Sequence, residues 1–258
     1  MVPLSEFPDD AIKINICNRN ITGVLDFSRF TNLEALECSY NKITRLDNLP
    51  NSLIELHCDN NQLTSLDNLP SSLKTLNCCE NLLTTLENYP DSLIKLNCSG
   101  NQITNLDNLP NYLTILNCSV NPIINLDKLP NSLKSLCCAF VQISYLDELP
   151  NSLEFLHCFE NKLTSLDNLP SSLTQLNCEY NKIKNLDNLP EFLDTLICSN
   201  NEITKLDNLP IYLKTLFCNN NNIMELDNLP YFLNQINCSD NPMNMTKLKE
   251  DYPHLFKN

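Results

Sequence analysis

The chain has 258 residues, with 31 acidic and 17 basic side chains and a formal net charge of −14. This charge disfavours nucleic acid as a partner, because the phosphate backbone attracts cationic surfaces. No apolar run approaches the roughly 20 residues that span a bilayer, and residues 1–17 lack the basic start and apolar core of a signal peptide. We therefore expect no membrane partner and a cytoplasmic location.

The first 32 residues differ from the regular pattern that follows them. Residues 1–10 are predicted to form an N-terminal cap, and residues 11–32 a degenerate first repeat of 22 residues. In this alignment five residues fall on buried or ladder positions: Ile14, Ile16, Arg19, Ile21 and Val24. An end cap is expected because an uncapped stack of repeats exposes an apolar face.

From residue 33 to residue 245 the sequence repeats with a period of twenty. One copy, residues 53–72, reads LIELHCDNNQLTSLDNLPSS, and its first residue defines repeat position 1. The alternation at positions 4 to 6 predicts a short strand, with Leu56 and Cys58 inside and His57 outside. Proline at position 18 excludes a helix interior, so the return segment should be extended or turn-like. A fixed short period predicts a stack of units that contact only their neighbours.

The pattern LxxLxCxxNxLTxLDNLPxS resembles the leucine-rich repeat over roughly residues 11–245. Its short length and its LP pair are most similar to the repeats of bacterial type III effectors of Yersinia and Shigella. Its asparagine, isoleucine and lysine content also resembles giant-virus repeat proteins. The resemblance implies a leucine-rich repeat solenoid with parallel strands on the concave face and little helix on the convex side. It further implies a noncatalytic protein-binding function, with a host protein as partner and the host cytoplasm as location.

Cysteine occupies position 6 in eleven successive copies, from Cys38 to Cys238. Neighbouring strands lie about 4.8 Å apart, whereas a disulfide prefers Cβ atoms about 3.8 Å apart. We therefore predict buried thiols that act as small hydrophobic groups. A zinc stack is the alternative, but zinc takes four tetrahedral ligands and a straight file offers two close neighbours. We expect no metal or other cofactor, and outward thiols only at Cys17, Cys79 and Cys137.

Asparagine at position 9 is predicted to bond backbone groups of its own and the adjacent repeat. Val141 breaks this file between Asn41 and Asn241. If the break is buried, it leaves backbone groups without a hydrogen-bond partner, which costs about 1 to 3 kcal/mol of stability. Either a function at this position offsets that cost, or the break is simple drift.

Ten of the acidic residues occupy position 15, from Asp47 to Asp227. Aspartate commonly accepts backbone N–H bonds in its own turn, and we predict that role here. Calcium binding along the file is the alternative, although the spacing matches no calcium-loop pattern.

Strand residues that point outward, at positions 2, 3, 5, 7 and 8, are mostly small or polar. Between residues 115 and 180 they become apolar and aromatic, and Glu154, Glu160 and Glu179 surround them. Clustered exposed aromatic residues are typical of interface hot spots, and drift or local packing is the alternative. The candidate binding patch comprises Ile115, Val120, Phe140, Val141, Phe155, His157, Phe159 and Tyr180.

Position 5 places Cys137 and His157 on neighbouring strands, a pairing that could form a nucleophile and its base. Position 5 is open to water, and no helix N-terminus or oxyanion donor is predicted beside it. We therefore interpret the chain as a noncatalytic protein-binding scaffold. A structural or self-associating component, such as a virion or surface protein, is the first alternative, and a cysteine-dependent enzyme is the second.

Residues 246–258 are predicted to form the C-terminal cap. A helical turn or two should start at Thr246, with Leu248, Tyr252, Leu255 and Phe256 covering the last repeat.

Overall fold

The computed structural model describes residues 4–256, so residues 1–3 of the predicted N-terminal cap and 257–258 of the C-terminal cap lie outside it. The chain divides into two compact units, Met1–Leu133 and Lys134–Asn258. The first unit contains strands β1 Lys13–Asn15, β2 Thr22–Asp26, β3 Ala35–Glu37, β4 Lys42–Asp47, β5 Glu55–His57, β6 Thr75–Asn77, β7 Lys95–Asn97 and β8 Ile115–Asn117. The second contains β9 Ser135–Cys137, β10 Phe155–His157, β11 Gln175–Asn177, β12 Thr195–Ile197, β13 Thr215–Phe217, β14 Gln235–Asn237 and helix α1 Met245–Asp251.

Each unit is built on a parallel sheet whose strands follow one another in chain order. In the first unit the order is β1-β3-β5-β6-β7-β8, and in the second it is β9 to β14. Equivalent residues of successive copies face each other, as Leu36 faces Leu56 and Leu176 faces Leu196. The sequence period therefore becomes the strand register.

The regular strands start one residue earlier than predicted, at position 3, and end at position 5. Cys58 lies just beyond the end of β5, yet its N–H donates to Asn77 O at 2.8 Å. Leu56 and Cys58 are fully buried while His57 is partly exposed, so the predicted alternation is confirmed.

The return segments contain turns and extended backbone. The helical segments within residues 4–256 are α1 and two short 3-10 turns, Leu4–Glu6 and Pro253–Phe256. No helix in this part of the chain is long and apolar enough to cross a membrane. The core is formed by the leucine, isoleucine and cysteine side chains of positions 1, 4, 6, 11 and 14. The predicted fold class, a leucine-rich repeat solenoid, is confirmed.

The aspartates of position 15 do not have the predicted role. Within residues 4–256 none of the ten carboxylates accepts a backbone N–H; their bonds run to side chains two residues earlier, as from Arg45 to Asp47 at 2.7 Å and from Asn185 to Asp187 at 3.0 Å. The turn depends instead on the next residue, usually asparagine, which has left-handed backbone, with φ of +55° at Asn48 and +58° at Asn188. Asparagine tolerates this conformation better than most residues do.

The asparagines of position 9 form the predicted ladder. The side-chain amide of Asn61 donates to Cys38 O and Cys58 O at 3.0 and 3.1 Å, and its oxygen accepts the N–H of Ile43 at 3.0 Å. Asn181 repeats this set of bonds in the second unit. Each side chain therefore joins its own copy to the preceding one.

Position 8 has left-handed backbone in every regular copy, whatever the residue. The φ angle is +54° at Asn60 and +64° at Gly100, and it is also positive at Val120 (+55°), Phe140 (+55°) and Tyr180 (+53°). For an L residue this conformation costs about 1 to 2 kcal/mol, most for β-branched and bulky side chains. The surrounding hydrogen bonds must therefore impose it.

The N-terminal repeat is buried as predicted at Ile14, Ile16 and Ile21. Val24 was predicted to lie at a buried position, and this prediction is wrong, because its side chain is 48% exposed. The pairing of β2 with β4 shifts register between Gly23 and Val24, so Leu25 lies opposite Leu46 and takes the buried site.

The prediction that the C-terminal helix starts at Thr246 is also wrong, because the helix starts at Met245. Asn244 is its N-cap, and its side-chain oxygen accepts the N–H groups of Thr246 and Lys247 at 3.1 and 3.2 Å. Leu248 is buried, and Tyr252, Leu255 and Phe256 are partly buried.

The eleven cysteines of position 6 are buried, and Cys17, Cys79 and Cys137 are half-buried. All fourteen carry thiols rather than disulfides. Burial raises the pKa of Cys98 and of Cys178 to about 12. Burial and the nearby Asp59 carboxylate raise the pKa of Cys79 to about 11. Within residues 4–256 no group of three or more cysteine, histidine or acidic side chains is placed to hold a metal ion.

We expect Asn181→Ala to lower the free energy of unfolding by about 2 to 4 kcal/mol, because it leaves several buried backbone groups without a partner. Urea unfolding followed by circular dichroism measures the change. Asn185→Ala is the matched control, since Asn185 is exposed and bonds only Asp187. Equal stability of the two variants would contradict the role assigned to the ladder.

We expect Tyr89→Phe to raise the free energy of unfolding by about 1 kcal/mol. Tyr89 replaces the usual leucine of position 17, and its buried hydroxyl has no hydrogen-bond partner within the described residues 4–256. Burial also raises its pKa, so the hydroxyl stays protonated at neutral pH. The same urea titration tests this expectation, and a loss of stability would show that the hydroxyl is bonded after all.

We expect iodoacetamide to modify only Cys17, Cys79 and Cys137 in the folded protein, as intact mass would show. The thiolate is the reactive form, and at pH 8 a thiol of pKa about 11 is ionised in roughly one molecule per thousand. Cys79 should therefore react slowly at pH 8 and faster as the pH rises. Comparable labelling of all fourteen cysteines without denaturant would overturn the fold assignment.

Candidate functional site

Four aromatic side chains of the second unit lie on or directly after the neighbouring strands β9, β10 and β11. The ring centroids of Phe140 and Phe159 are 5.6 Å apart, with an interplanar angle of 83°. Phe140 and Tyr180 are 48% and 49% exposed, whereas Phe155 and Phe159 are half-buried. We call Phe140, Phe155, Phe159 and Tyr180 the strand-face cluster.

His157 lies on the same strand as Phe155 and is exposed. Its imidazole has no hydrogen-bond partner among residues 4–256. It faces Cys137 in the register of β10 and β9, as the sequence predicts. No third side chain orients the imidazole, although a general base acting on a thiol needs a fixed tautomer and direction.

The predicted patch also includes Val141, Ile115 and Val120. Val141 is fully buried, so it lies beneath the surface and cannot contact a partner there. Its N–H donates to the side-chain oxygen of Asn161 at 3.2 Å, and the amide of Asn161 donates to Cys138 O at 2.8 Å. Ile115 and Val120 belong to the first unit, where they are 39% and 52% exposed.

Acidic side chains accompany the strand-face cluster. Glu154, at the start of β10, pairs with Lys134 at 2.9 Å. Glu160 and Glu179 lie at the other end of the strands, and the N–H of Glu160 donates to Glu179 O at 3.0 Å. Acidic residues therefore lie at both ends of these strands. Of the three, only Glu154 has a cationic partner among residues 4–256.

A second group of exposed aromatic residues was missed by the sequence reasoning. Phe192, Tyr212 and Phe232 stack in a file, with centroid distances of 5.7 and 6.2 Å and interplanar angles of 14° and 16°. Tyr231 packs edge-on against Phe232 at 5.4 Å. Phe192, Tyr212 and Phe232 occupy position 20, where the other regular copies have serine except for Tyr112. We call Phe192, Tyr212 and Phe232 the aromatic file.

In the copies that have serine at position 20, the serine side chain links that copy to the preceding one. The hydroxyl of Ser172, for example, donates to Asn151 O at 2.8 Å and to Leu153 O at 2.7 Å. Ring stacking takes over this link in the last copies. The departure from serine in three consecutive copies was the signal in the sequence that could have revealed the file.

The structure is similar to solved bacterial repeat proteins. YopM from Yersinia enterocolitica WA-314 matches with a TM-score of 0.80 and 31% identity, over 90% of this chain and 56% of that chain. A Shigella effector leucine-rich repeat domain matches with a TM-score of 0.54 and 34% identity, over 60% of this chain and 73% of that chain. The functional domain of InlJ from Listeria monocytogenes, described as including a cysteine ladder, matches with a TM-score of 0.66 and 31% identity, over 90% of this chain and 49% of that chain.

The chain thus spans about half the length of the YopM and InlJ chains that it matches. No protein-family model matches the sequence, and no curated protein matches it. Leucine-rich repeat folds of this kind are typically protein-interaction scaffolds. The twenty-residue period, the asparagine ladder and these similarities lead to the same conclusion. The chain belongs to the leucine-rich repeat proteins, with short repeats resembling those of bacterial effectors.

Proposed function

We propose that the chain is a noncatalytic protein-binding scaffold whose strand-face cluster contacts a protein partner. The observation that carries the proposal is the contact between the rings of Phe140, which is half exposed, and Phe159, which is half-buried, just beyond the paired parallel strands β9 and β10. Aromatic side chains lose little conformational entropy on binding and dominate interface hot spots. Tyr180 and His157 extend the same face.

A second support is the backbone at position 8. Phe140 and Tyr180 hold left-handed conformations that are unfavourable for bulky residues, and both side chains remain exposed. Neither ring is buried in the core, so core packing does not account for them. A partner that covers them would supply the apolar contact that the fold does not.

The likeness to effector proteins supports a host protein as that partner and the host cytoplasm as the place of action. We propose no catalysis, because His157 is exposed and no side chain orients it towards Cys137. Self-association is the rival function, and the exposed aromatic file is the surface that favours it.

We expect Phe140→Ser/Phe159→Ser to abolish capture of a defined set of proteins from a host-cell lysate while the variant stays folded. The double change removes the ring pair and leaves the backbone ladder in place. Immobilised wild type and variant are compared by quantitative mass spectrometry, and circular dichroism verifies the fold.

Phe192→Ser/Tyr212→Ser is the matched control, because it removes a ring pair of the same unit from a different surface. The proposal predicts that this control retains the captured set. If capture instead follows the control variant, the aromatic file is the binding surface and the strand-face cluster is not. If wild type captures only copies of itself, the chain is a self-associating component.

A further inference from the structure

Two carboxylates lie between the aromatic rings of the strand-face cluster. Glu160 is the position-8 residue between Phe140 and Tyr180, and Glu179 directly precedes Tyr180. Phe140 N–H donates to Phe159 O at 3.2 Å and Glu160 N–H to Glu179 O at 3.0 Å, so these residues form one continuous row across neighbouring copies. Rings and carboxylates therefore share a single surface.

Two other acidic side chains on this face of the second unit have cationic partners, whereas Asp240, at position 8 of the last copy, accepts a bond from the Ser239 hydroxyl. Glu154 pairs with Lys134 at 2.9 Å, and Asp194 pairs with Lys214 at 3.6 Å. Both pairs lie where the strands begin, at position 2. The position-7 and position-8 ends of the same strands carry no such pairs among the described residues.

Neither Glu160 nor Glu179 forms an ion pair with a basic side chain in the described part of the chain, where the ion pairs of this unit's strand face are those of Glu154 and Asp194. Glu179 accepts a long bond from the Asn177 amide at 3.4 Å. Lys162, the lysine nearest to Glu160 in the sequence, donates to Gln142 instead at 3.0 Å. Both residues are half-buried, and a half-buried acidic residue commonly has a cation beside it.

We propose that the partner presents an arginine beside an apolar side chain to this surface. The inference rests on the proposed function and names the chemistry of its partner. The apolar group would cover Phe140 and Phe159, and the guanidinium would bind Glu160 and Glu179. Arginine fits better than lysine, because its planar guanidinium binds carboxylates through two parallel bonds and stacks on aromatic rings.

The net charge of the chain favours a basic protein partner over nucleic acid and over a second copy of the chain. With a net charge of −14, the protein repels nucleic acid and repels a second copy of itself. The same charge attracts a basic protein segment and speeds its encounter with the surface.

The test uses a library of random twelve-residue peptides displayed on phage, selected on the immobilised full-length chain. Selection runs in parallel on wild type, on Phe140→Ser/Phe159→Ser and on Glu160→Gln/Glu179→Gln. Glu202→Gln/Glu225→Gln is the matched control, because it removes the same charge from two exposed positions outside the strand face of this unit. We expect peptides that require the two rings to be enriched in arginine next to an aromatic or large aliphatic residue.

The strongest peptide is then synthesised, and its dissociation constant is measured by fluorescence anisotropy. We expect about tenfold weaker binding to Glu160→Gln/Glu179→Gln, and similar weakening when the peptide arginine becomes glutamine. The two changes together should weaken binding little more than either alone, because they remove the same contact. Binding to Glu202→Gln/Glu225→Gln should be unchanged.

Two outcomes separate this inference from the proposed function. If ring-dependent peptides lack arginine, or bind the Glu160→Gln/Glu179→Gln variant as well as wild type, the arginine assignment is wrong and the binding surface stands. If no peptide depends on Phe140 and Phe159, both fail. Concentration-dependent sedimentation that the Phe140→Ser/Phe159→Ser change abolishes would make a second copy the occupant and would also overturn the inference.

Discussion

The hydrogen bonds of the position-9 asparagine are the constraint on which the rest of the structure depends. Each strand that contains positions 3 to 5 of a regular copy is only three residues long, so the chain must turn while its backbone groups are still within the protein. The Asn61 side chain satisfies carbonyl groups of its own copy and of the preceding copy, and it accepts one N–H. The same side chain therefore closes the turn and sets the stacking of two copies. Leucine and cysteine can then fill the core at fixed positions, because the turn beside them does not vary.

This constraint extends to the surface. The backbone at position 8 is left-handed in every regular copy, including Val120 and Tyr180, which would avoid that conformation in isolation. The bonds at position 9 hold the turn, so position 8 is open to almost any side chain that points outward. Variation there leaves the core unchanged. A repeat protein can therefore change what it binds without changing how it folds.

Features that recur in every copy could be predicted from the sequence, because each follows from a local rule applied many times. The alternation at Leu56, His57 and Cys58, the buried thiols and the ladder at Asn61 belong to this group. Features that depend on one local geometry could not. Val24 is exposed because the register shifts at Gly23, and the N–H of the buried Val141 has a partner because the Asn161 side chain accepts it. The acidic residues of position 15 are an exception among the recurring features: the carboxylate of Asp47 bonds a side chain because the turn is made by Asn48. The acidic surround of the candidate site was visible in the sequence, whereas the ring contact of Phe140 with Phe159 required the structure.

Departures from the repeat divide into those that the fold compensates and those that it does not. Val141 lacks the ladder amide, and Asn161 bonds both Val141 N–H and Cys138 O. The aromatic file lacks the serine hydroxyls, and its rings stack on one another. Glu160 and Glu179 have no compensating cation among the described residues, and Phe140 and Tyr180 are half exposed in an unfavourable backbone conformation. A departure that no neighbour compensates lowers the stability of the isolated chain, and under the proposed function the partner supplies the contact that the chain lacks.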